Sequence, residues 1–294
     1  MSEVVAPSRW LVTGAGGQLG RAALALARAH GVTPIGVTRA QLDVQLADAV
    51  KRALDEHQPD VVLNCAAFTA VDRCESEPAE AEAANAVAPA LLAQACRGGP
   101  LLVHLSTDFV FDGRACQPVA EEAPTRPLSV YGRTKLRGEE GVRAAAGEHL
   151  IVRAQWVFGA GANFVRAILR LAATGEPLRV VEDQIGRPTW SASLARGIFA
   201  AVAAGARGTL HLANEGIASW FDFAREIADQ GARRGLCPAV EVRPIPTSEM
   251  SRPATRPAYG VLGLARARSL GIAPIHWRDA LTHYLDAESV GRDA

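Results

Sequence analysis

The chain has 294 residues, 49% hydrophobic and 21% charged, with 31 Lys and Arg against 31 Asp and Glu. That exceeds the roughly 100–200 residues of one ordinary domain, and it supplies a sizeable core with too little charge for disorder. The even balance excludes a basic surface for nucleic acid or an anionic membrane, and no apolar run reaches the ~20 residues of a membrane span.

In chain order, Arg9–Thr13 reads as a strand, followed by a Gly-rich turn and an Ala/Leu/Arg helix to about His30. Thr33–Thr38 is the next strand, Ala47–His57 a helix, and Asp60–Cys65 a continuous apolar strand. Pro78 opens a long Ala-rich helix to about Arg97, and Leu101–Ser106 is another buried strand. A polar loop leads to a helix over Tyr131–Ala146, then a strand over His149–Arg153. Apolar strands without alternation, separated by helices, predict a parallel sheet covered on both faces, the doubly wound α/β arrangement.

Beyond Trp156 the rhythm loosens. Helices are predicted over Asn163–Thr174 and Ser191–Ala204, and strands over Leu178–Val181 and Gly208–Leu212. Ser219 and Asp222 have the spacing of an N-cap and its N3 acid before a helix to about Arg233. Prolines at 238, 244, 246, 253 and 257 break the next stretch into loops and short extended pieces, and a helix over His276–Asp286 closes the chain. This predicts a dinucleotide-binding Rossmann domain over residues 1–157 and a smaller α/β substrate domain over 158–294, with some chain crossing between them and a cleft at their contact. The five cysteines (65, 74, 96, 116, 237) are odd in number and form no CxxC pair, so they read as free thiols. With no signal-peptide order after Met1-Ser2-Glu3, this places the protein in a reducing cytoplasm. No His/Cys spacing suits zinc.

Glycines 14, 17 and 20 form GxxGxxG between the first strand and the first helix. Gly14 permits the sharp turn, Gly17 lets the backbone approach a pyrophosphate, and Gly20 lets the helix pack close to the sheet. The helix N-terminus then offers free N–H groups to phosphates. A Gly-rich turn alone is weak evidence; after a first strand and opening a helix, it favours dinucleotide binding. At the end of strand two stand Thr38 and Arg39, with no acid until Asp43. An Arg there accommodates the 2′-phosphate of NADP, whereas an acid would bind the ribose of NAD. The pattern therefore leans to NADPH, with NADH left open and Asp43 a second contact to the adenine or its ribose.

Tyr131 and Lys135 form YxxxK, one helical turn apart on one face. Lys is rare here: 29 of the 31 basic residues are Arg, and only Lys51 and Lys135 are Lys. An ammonium beside a phenol favours the phenolate, and a guanidinium is a poor substitute for such a compact charge. Upstream, Ser106-Thr107-Asp108 ends strand four, where the ligand crevice of an open α/β sheet lies.

GxxGxxG, Ser-Thr-Asp after strand four and YxxxK together resemble the extended short-chain dehydrogenase/reductases, and more closely the dTDP-4-dehydrorhamnose reductase family. Matching stretches span almost the whole length. They include Asn64 to Asp72, Glu75-Ser76-Glu77-Pro78, Ser106 to Phe111, Trp156-Val157-Phe158, Asn163-Phe164, Asp183 to Thr189 and Arg256-Pro257. The resemblance implies that Thr107 polarises the C4 carbonyl, Tyr131 delivers the proton, and Lys135 lowers the Tyr pKa and holds the ribose. It implies a cofactor site of Gly14, Gly17, Gln18, Leu19, Arg39, Asp43, Val44, Ala66, Ala67, Phe68, Thr69 and Leu105 together with Tyr131 and Lys135. Asp108, Phe109 and Trp156 would meet the sugar nucleotide beside Thr107 and Tyr131, and Arg256 would reach its diphosphate. Two departures lie near the expected sugar pocket: Phe109 where many relatives have Tyr, and Ala154-Gln155 in place of Thr-Ser.

The reading that follows is NADPH-dependent reduction of the C4 ketone of a dTDP-4-keto-6-deoxyhexose in deoxysugar or antibiotic biosynthesis, by a monomer or homodimer. The alternatives are a dihydrostreptose-type synthase, a nucleotide-sugar epimerase, and a non-catalytic NADP-binding regulatory subunit. Dehydratases of the superfamily carry Glu after the Asp, and Phe109 stands there instead. Some relatives bind Mg2+ through acids at a dimer contact, so a metal enters as an open expectation without mapped ligands.

Overall fold

The computed structural model describes residues 9–145 and 147–290. The N-terminal residues read for a signal peptide, and Ala146 at the end of the expected helix, lie outside the described residues.

Residues that alternate in direction but are apolar at every position need cover on both sides, and this decides the architecture. The strands β1 (Arg9–Thr13), β2 (Thr33–Val37) and β3 (Val61–Asn64) are interleaved with helices α1 (Gln18–Ala29) and α2 (Ala47–His57). Next come α3 (Val71–Ser76), α4 (Pro78–Glu82), a π turn (Ala83–Val87), α5 (Ala88–Ala95), β4 (Leu101–Thr107), α6 (Val130–Ala145) and β5 (His149–Ala154). On one face Trp10, Val12, Leu63, Val103, Leu150 and Val152 pack against Leu19 and Ala23 of α1. On the other, Leu11, Val62, Leu102 and Ile151 pack against Val50 of α2, Leu92 of α5 and Val142 of α6. The result is the doubly wound parallel sheet the sequence pattern predicts.

The second half contributes β6 (Val157–Phe158), α7 (Phe164–Ala172), β7 (Leu178–Val181), β8 (Ile185–Gly186), β9 (Thr189–Trp190), α8 (Ser191–Ala203) and β10 (Gly208–His211). It continues with β11 (Ala218–Ser219), α9 (Trp220–Arg233), β12 (Val242–Ile245), α10 (Ala265–Ser269) and α11 (Trp277–Val290). β10 pairs in parallel with β5, so the sheet has six strands in the order β10-β5-β4-β3-β1-β2. Leu194 and Ile198 of α8 join the core over α1. A separate core gathers Phe158, Ile168, Phe223, Ile227, Trp277 and Leu281, and this body sits over the carboxyl ends of the sheet strands. The capping box at Ser219 and Asp222 forms as its spacing predicts. Among the described residues, no helix is long and apolar enough to cross a membrane.

One expected helix is not continuous. The Ala-rich stretch from Pro78 is α4, a π turn and α5. Pro89 has no N–H to return to the carbonyl of Asn85, four residues earlier, so the ladder widens there. The freed carbonyl lies against Gly138 of α6, where a Cβ would overlap it. Gly138→Ala should therefore lower unfolding stability by about 1–3 kcal/mol, the scale of overpacking, measured by urea denaturation. An unchanged midpoint would show that α6 can retreat from the π turn.

Candidate active site

The chain reverses direction across the sheet between β1 and β3, and there the carboxyl ends of the strands open a crevice. A cleft of about 810 Å³ occupies it. A second cavity of about 550 Å³ lies under the C-terminal body, and the two share Asp108, Phe109, Trp156, Trp220 and Arg256. Every site residue named from the sequence lines the first cleft, except Lys135, which lies buried behind it.

The glycine loop forms the floor. Gly14 takes a left-handed φ of +63°, and a Cβ on it would come within 2.8 Å of the Cys65–Ala66 backbone. α1 begins at Gln18 with no side chain capping it, and its first intrahelical bond runs from Arg21 N to Gly17 O. Gly17 N already donates to Gly14 O, so it is the amides of Gln18, Leu19 and Gly20 that are left for an anion in the cleft. Gln18 donates to Ala162 O at 3.2 Å, which ties the loop to the second body, while its own carbonyl oxygen is buried without a partner. At the end of β2, Arg39 is exposed beside the cleft, and Gln41 accepts from both the amide and hydroxyl of Thr38. Asp43 accepts from Gln45 N at 3.0 Å, a local turn that leaves Arg39 as the nearer charge to the strand end. These features fit a phosphorylated dinucleotide.

The reacting groups come from β4 and α6. Thr107 Oγ1 accepts from Phe109 N at 3.2 Å, donates to Asp108 Oδ1 at 3.1 Å, and is hydrogen-bonded to Tyr131. Lys135 is 2% exposed and donates from Nζ to Leu105 O at 2.6 Å. The expectation was that Lys135 draws the Tyr131 phenol toward neutrality. In the structure burial pushes the phenol upward instead, with the Thr107 hydrogen bond as the opposing influence. Burial also brings the Lys135 ammonium down to about 8, opposed by the charge of Glu139. Tyr131 therefore holds its proton at neutral pH. Asp108, 3% exposed, is pushed by burial up to about 7.

Four residues with no role assigned from the sequence build the site. Asn85, in the π turn, accepts from Phe68 N at 2.8 Å and donates to Phe68 O at 3.0 Å and to Thr134 Oγ1 at 3.2 Å. It clamps the Phe68 loop to α6. Glu75 accepts from Val130 N at 2.8 Å and anchors the start of that helix. Glu139 is fully buried and takes four donors: Ser106 Oγ at 2.5 Å, Arg153 Nε and NH2 at 2.8 and 2.7 Å, and Arg143 NH2 at 2.6 Å. Trp220 stacks on Trp156 at 3.7 Å between ring centroids. Trp156 has a φ of +46°, a costly backbone for a bulky residue. The only signals for these were indirect: Pro89 beyond Asn85, the i+4 spacing of Glu139 from Lys135, and the Ser219 cap that places Trp220 first in α9. Among the described residues, no group of three or more His, Cys, Asp or Glu is arranged to hold a metal ion.

Comparison with known proteins gives one consistent match. The family model described as RmlD substrate binding domain matches residues 8–290. A dTDP-4-dehydrorhamnose reductase of Streptomyces griseus is 44% identical over 288 residues, 95% of this chain and 93% of that protein. A dTDP-4-keto-6-deoxy-D-glucose reductase of Streptomyces niveus is 42% identical over 279 residues, 93% of this chain and 95% of that one. The crystal structure of a dTDP-4-dehydrorhamnose reductase of Bacillus anthracis in complex with NADP superimposes with a TM-score of 0.90. It is 31% identical and covers 96% of this chain and 99% of that one.

Two stability outcomes follow from the buried carboxyls. Glu139→Gln should cost about 3–5 kcal/mol, the scale of breaking a buried pair and stranding its cation, read by denaturant unfolding. A loss below about 1 kcal/mol would make the cluster a solvated surface pair. Asp108 behaves oppositely, because its folded pKa of about 7 lies above its ordinary 3.8. Its ionisation opposes folding increasingly as pH rises from that ordinary value to about 7, and the cost is constant above. Asp108→Asn should therefore raise Tm at about pH 8 and leave it nearly unchanged at about pH 4. Equal shifts at both pH values would sink this account.

Proposed function

The chain belongs to the family of the RmlD substrate binding domain, and on that footing we propose that it is a reductase. It transfers hydride from NADPH to the C4 ketone of a dTDP-4-keto-6-deoxyhexose. The observation that carries this reading is Tyr131 beside Thr107 in a dinucleotide-shaped cleft, which shares Asp108, Phe109 and Trp156 with a second cavity.

We read residues 1–157 as the cofactor unit and 158–294 as the sugar-nucleotide unit, with the chain returning to the sheet through β10. The amides at the start of α1 and the glycine loop hold the pyrophosphate, and Arg39 takes the 2′-phosphate. Val44, Ala66, Ala67, Phe68, Thr69 and Leu105 wall the dinucleotide. Bound NADPH supplies the hydride. Thr107 orients the C4 carbonyl by turning its one hydroxyl proton from Asp108 to the carbonyl oxygen, and Tyr131 transfers the proton from Oη to that oxygen, so no alkoxide persists. Lys135, anchored on Leu105 O, stabilises the phenolate left behind. Asp108 and Trp156 orient the sugar, and Arg256 anchors the diphosphate. Phe109 packs edge-on to Tyr131 with ring centroids 5.4 Å apart, which keeps that side of the pocket apolar.

Mixing the protein with NADPH and dTDP-4-keto-6-deoxyglucose, with and without a 3,5-epimerase, should consume NADPH in step with a dTDP-6-deoxyhexose. An absence of consumption with every 4-keto sugar nucleotide would refute the reading. Tyr131→Phe should abolish turnover and keep NADPH binding. kcat/KM, which reports groups of the free enzyme, should fall as pH rises through about 8, where Lys135 loses its charge. Arg39→Ala should weaken NADPH by about tenfold, the worth of one charge-assisted contact, while NADH is unaffected; an equal loss for both would remove Arg39 from the 2′-phosphate.

A further inference from the structure

Asp72 stands in the first turn of α3, yet its partners are 180 to 184 residues away. Arg256 donates NH1 to Oδ1 at 3.0 Å and NH2 to Oδ2 at 2.9 Å. Ala254 N donates to Oδ1 at 3.2 Å, and Arg252 NH1 to Oδ2 at 3.4 Å. One carboxylate thus gathers two guanidiniums and a backbone amide from the segment that closes the second cavity. The Arg256 fork and these companions hold Asp72 below the usual carboxylate range, so it stays ionised.

The geometry leaves something over. Arg256 NH1 also donates to Ala254 O at 2.9 Å. Asp72 takes the end of the guanidinium, while Nε–H and the outer N–H of NH2 have no partner among the described residues. Those two form the guanidinium's other bidentate edge. Arg256 lines both cavities, its side chain is 19% exposed, and two guanidiniums against one carboxylate leave the cluster positive. Asp72 is not in the position of a competitor for an anion, because it occupies a different face of Arg256.

We propose that Asp72 is a positioning residue for the substrate. It fixes the end of Arg256, with Arg252 beside it, so that the free edge of Arg256 meets the diphosphate of a nucleotide sugar where the two cavities join. An untethered Arg would have to be ordered at each binding event. The inference rests on the reading of Arg256 as the diphosphate anchor.

The test is calorimetric titration of the NADPH-saturated full chain with dTDP, in wild type, Asp72→Asn, Asp72→Ala, Arg256→Ala and the double variant Asp72→Ala/Arg256→Ala. Both Asp72 variants should bind dTDP about tenfold more weakly, raise KM for the sugar nucleotide to match, and leave kcat and NADPH affinity unchanged. The double variant should be no weaker than Arg256→Ala, because Asp72 acts through Arg256. Tighter dTDP binding in Asp72→Asn would make the carboxylate a competitor and overturn the proposal, as would additive losses in the double variant. Unchanged dTDP binding in both Asp72 variants, beside a wild type that binds, overturns this inference alone. A wild type that ignores dTDP overturns the nucleotide-sugar reading and the inference with it.

Discussion

A single buried carboxylate sets the register of the site. Glu139 lies on α6, one turn beyond Lys135 and two beyond Tyr131. Its four donors come from β4, β5 and its own helix. Ser106 is the residue before Thr107, and Arg153 lies two residues before Gln155. Through Glu139 the helix that carries Tyr131 is therefore tied to the strand that carries Thr107 and to the strand leading to Trp156. A neutral side chain could fill the space but would leave the Arg153 guanidinium, 2% exposed, without a counter-charge. The same negative charge opposes the loss of the Lys135 ammonium to burial. Position and charge state in the site thus depend on one group that never reaches the cleft.

The second body is attached by contacts of the same directional kind. Gln18 reaches Ala162 from the glycine loop, and Gln155 bonds Gly260 O at 2.8 Å and Leu262 N at 3.1 Å. Asp72 grips the segment around Arg256. Each of these joins a residue lining the first cleft or standing beside it to the second body, so the cleft is a consequence of how the bodies are joined. The long amide at Gln155 holds the 260–262 segment against Asp108, since a Cβ on Gly260 would meet Asp108 Oδ2. That places Gln155 in the wall of the cleft that Thr107 and Tyr131 also line.

Much of this was legible before the structure. Strands apolar at every position require two covered faces, and Val61, Val62 and Leu63 alternate between the two cores as that logic demands. The glycine loop and YxxxK were legible because their chemistry is local, within seven and five residues. What was hidden is what depends on distant partners. Asp72 could be read only as a motif letter, because the Arg that defines its role is 184 residues away. Asn85 acts through a π turn made by Pro89, which the Ala-rich composition masked as plain helix. The direction of the Tyr131 shift differs for a related reason: the i+4 spacing shows a cation one turn away but not burial, and burial is the first cause of the shift, opposed by the Thr107 hydrogen bond.

The scarcity of Lys acquires a physical meaning at Lys135. The chain uses Arg wherever a planar fork suits the partner, as at Arg153 on Glu139 and Arg256 on Asp72. Behind Tyr131 the partner is one carbonyl, Leu105 O, in a pocket with no water-facing surface. A guanidinium there would bury several N–H groups with no acceptor, each costing on the order of 1–3 kcal/mol. An ammonium is more compact and can lose its proton. Burial holds the phenol neutral and brings the ammonium down to about 8, so the phenol keeps its proton at the cleft. The positive charge lies behind the cleft, where the proposed reading has it stabilise a phenolate. A Lys meets the single acceptor in that space, and the broader guanidinium of an Arg does not.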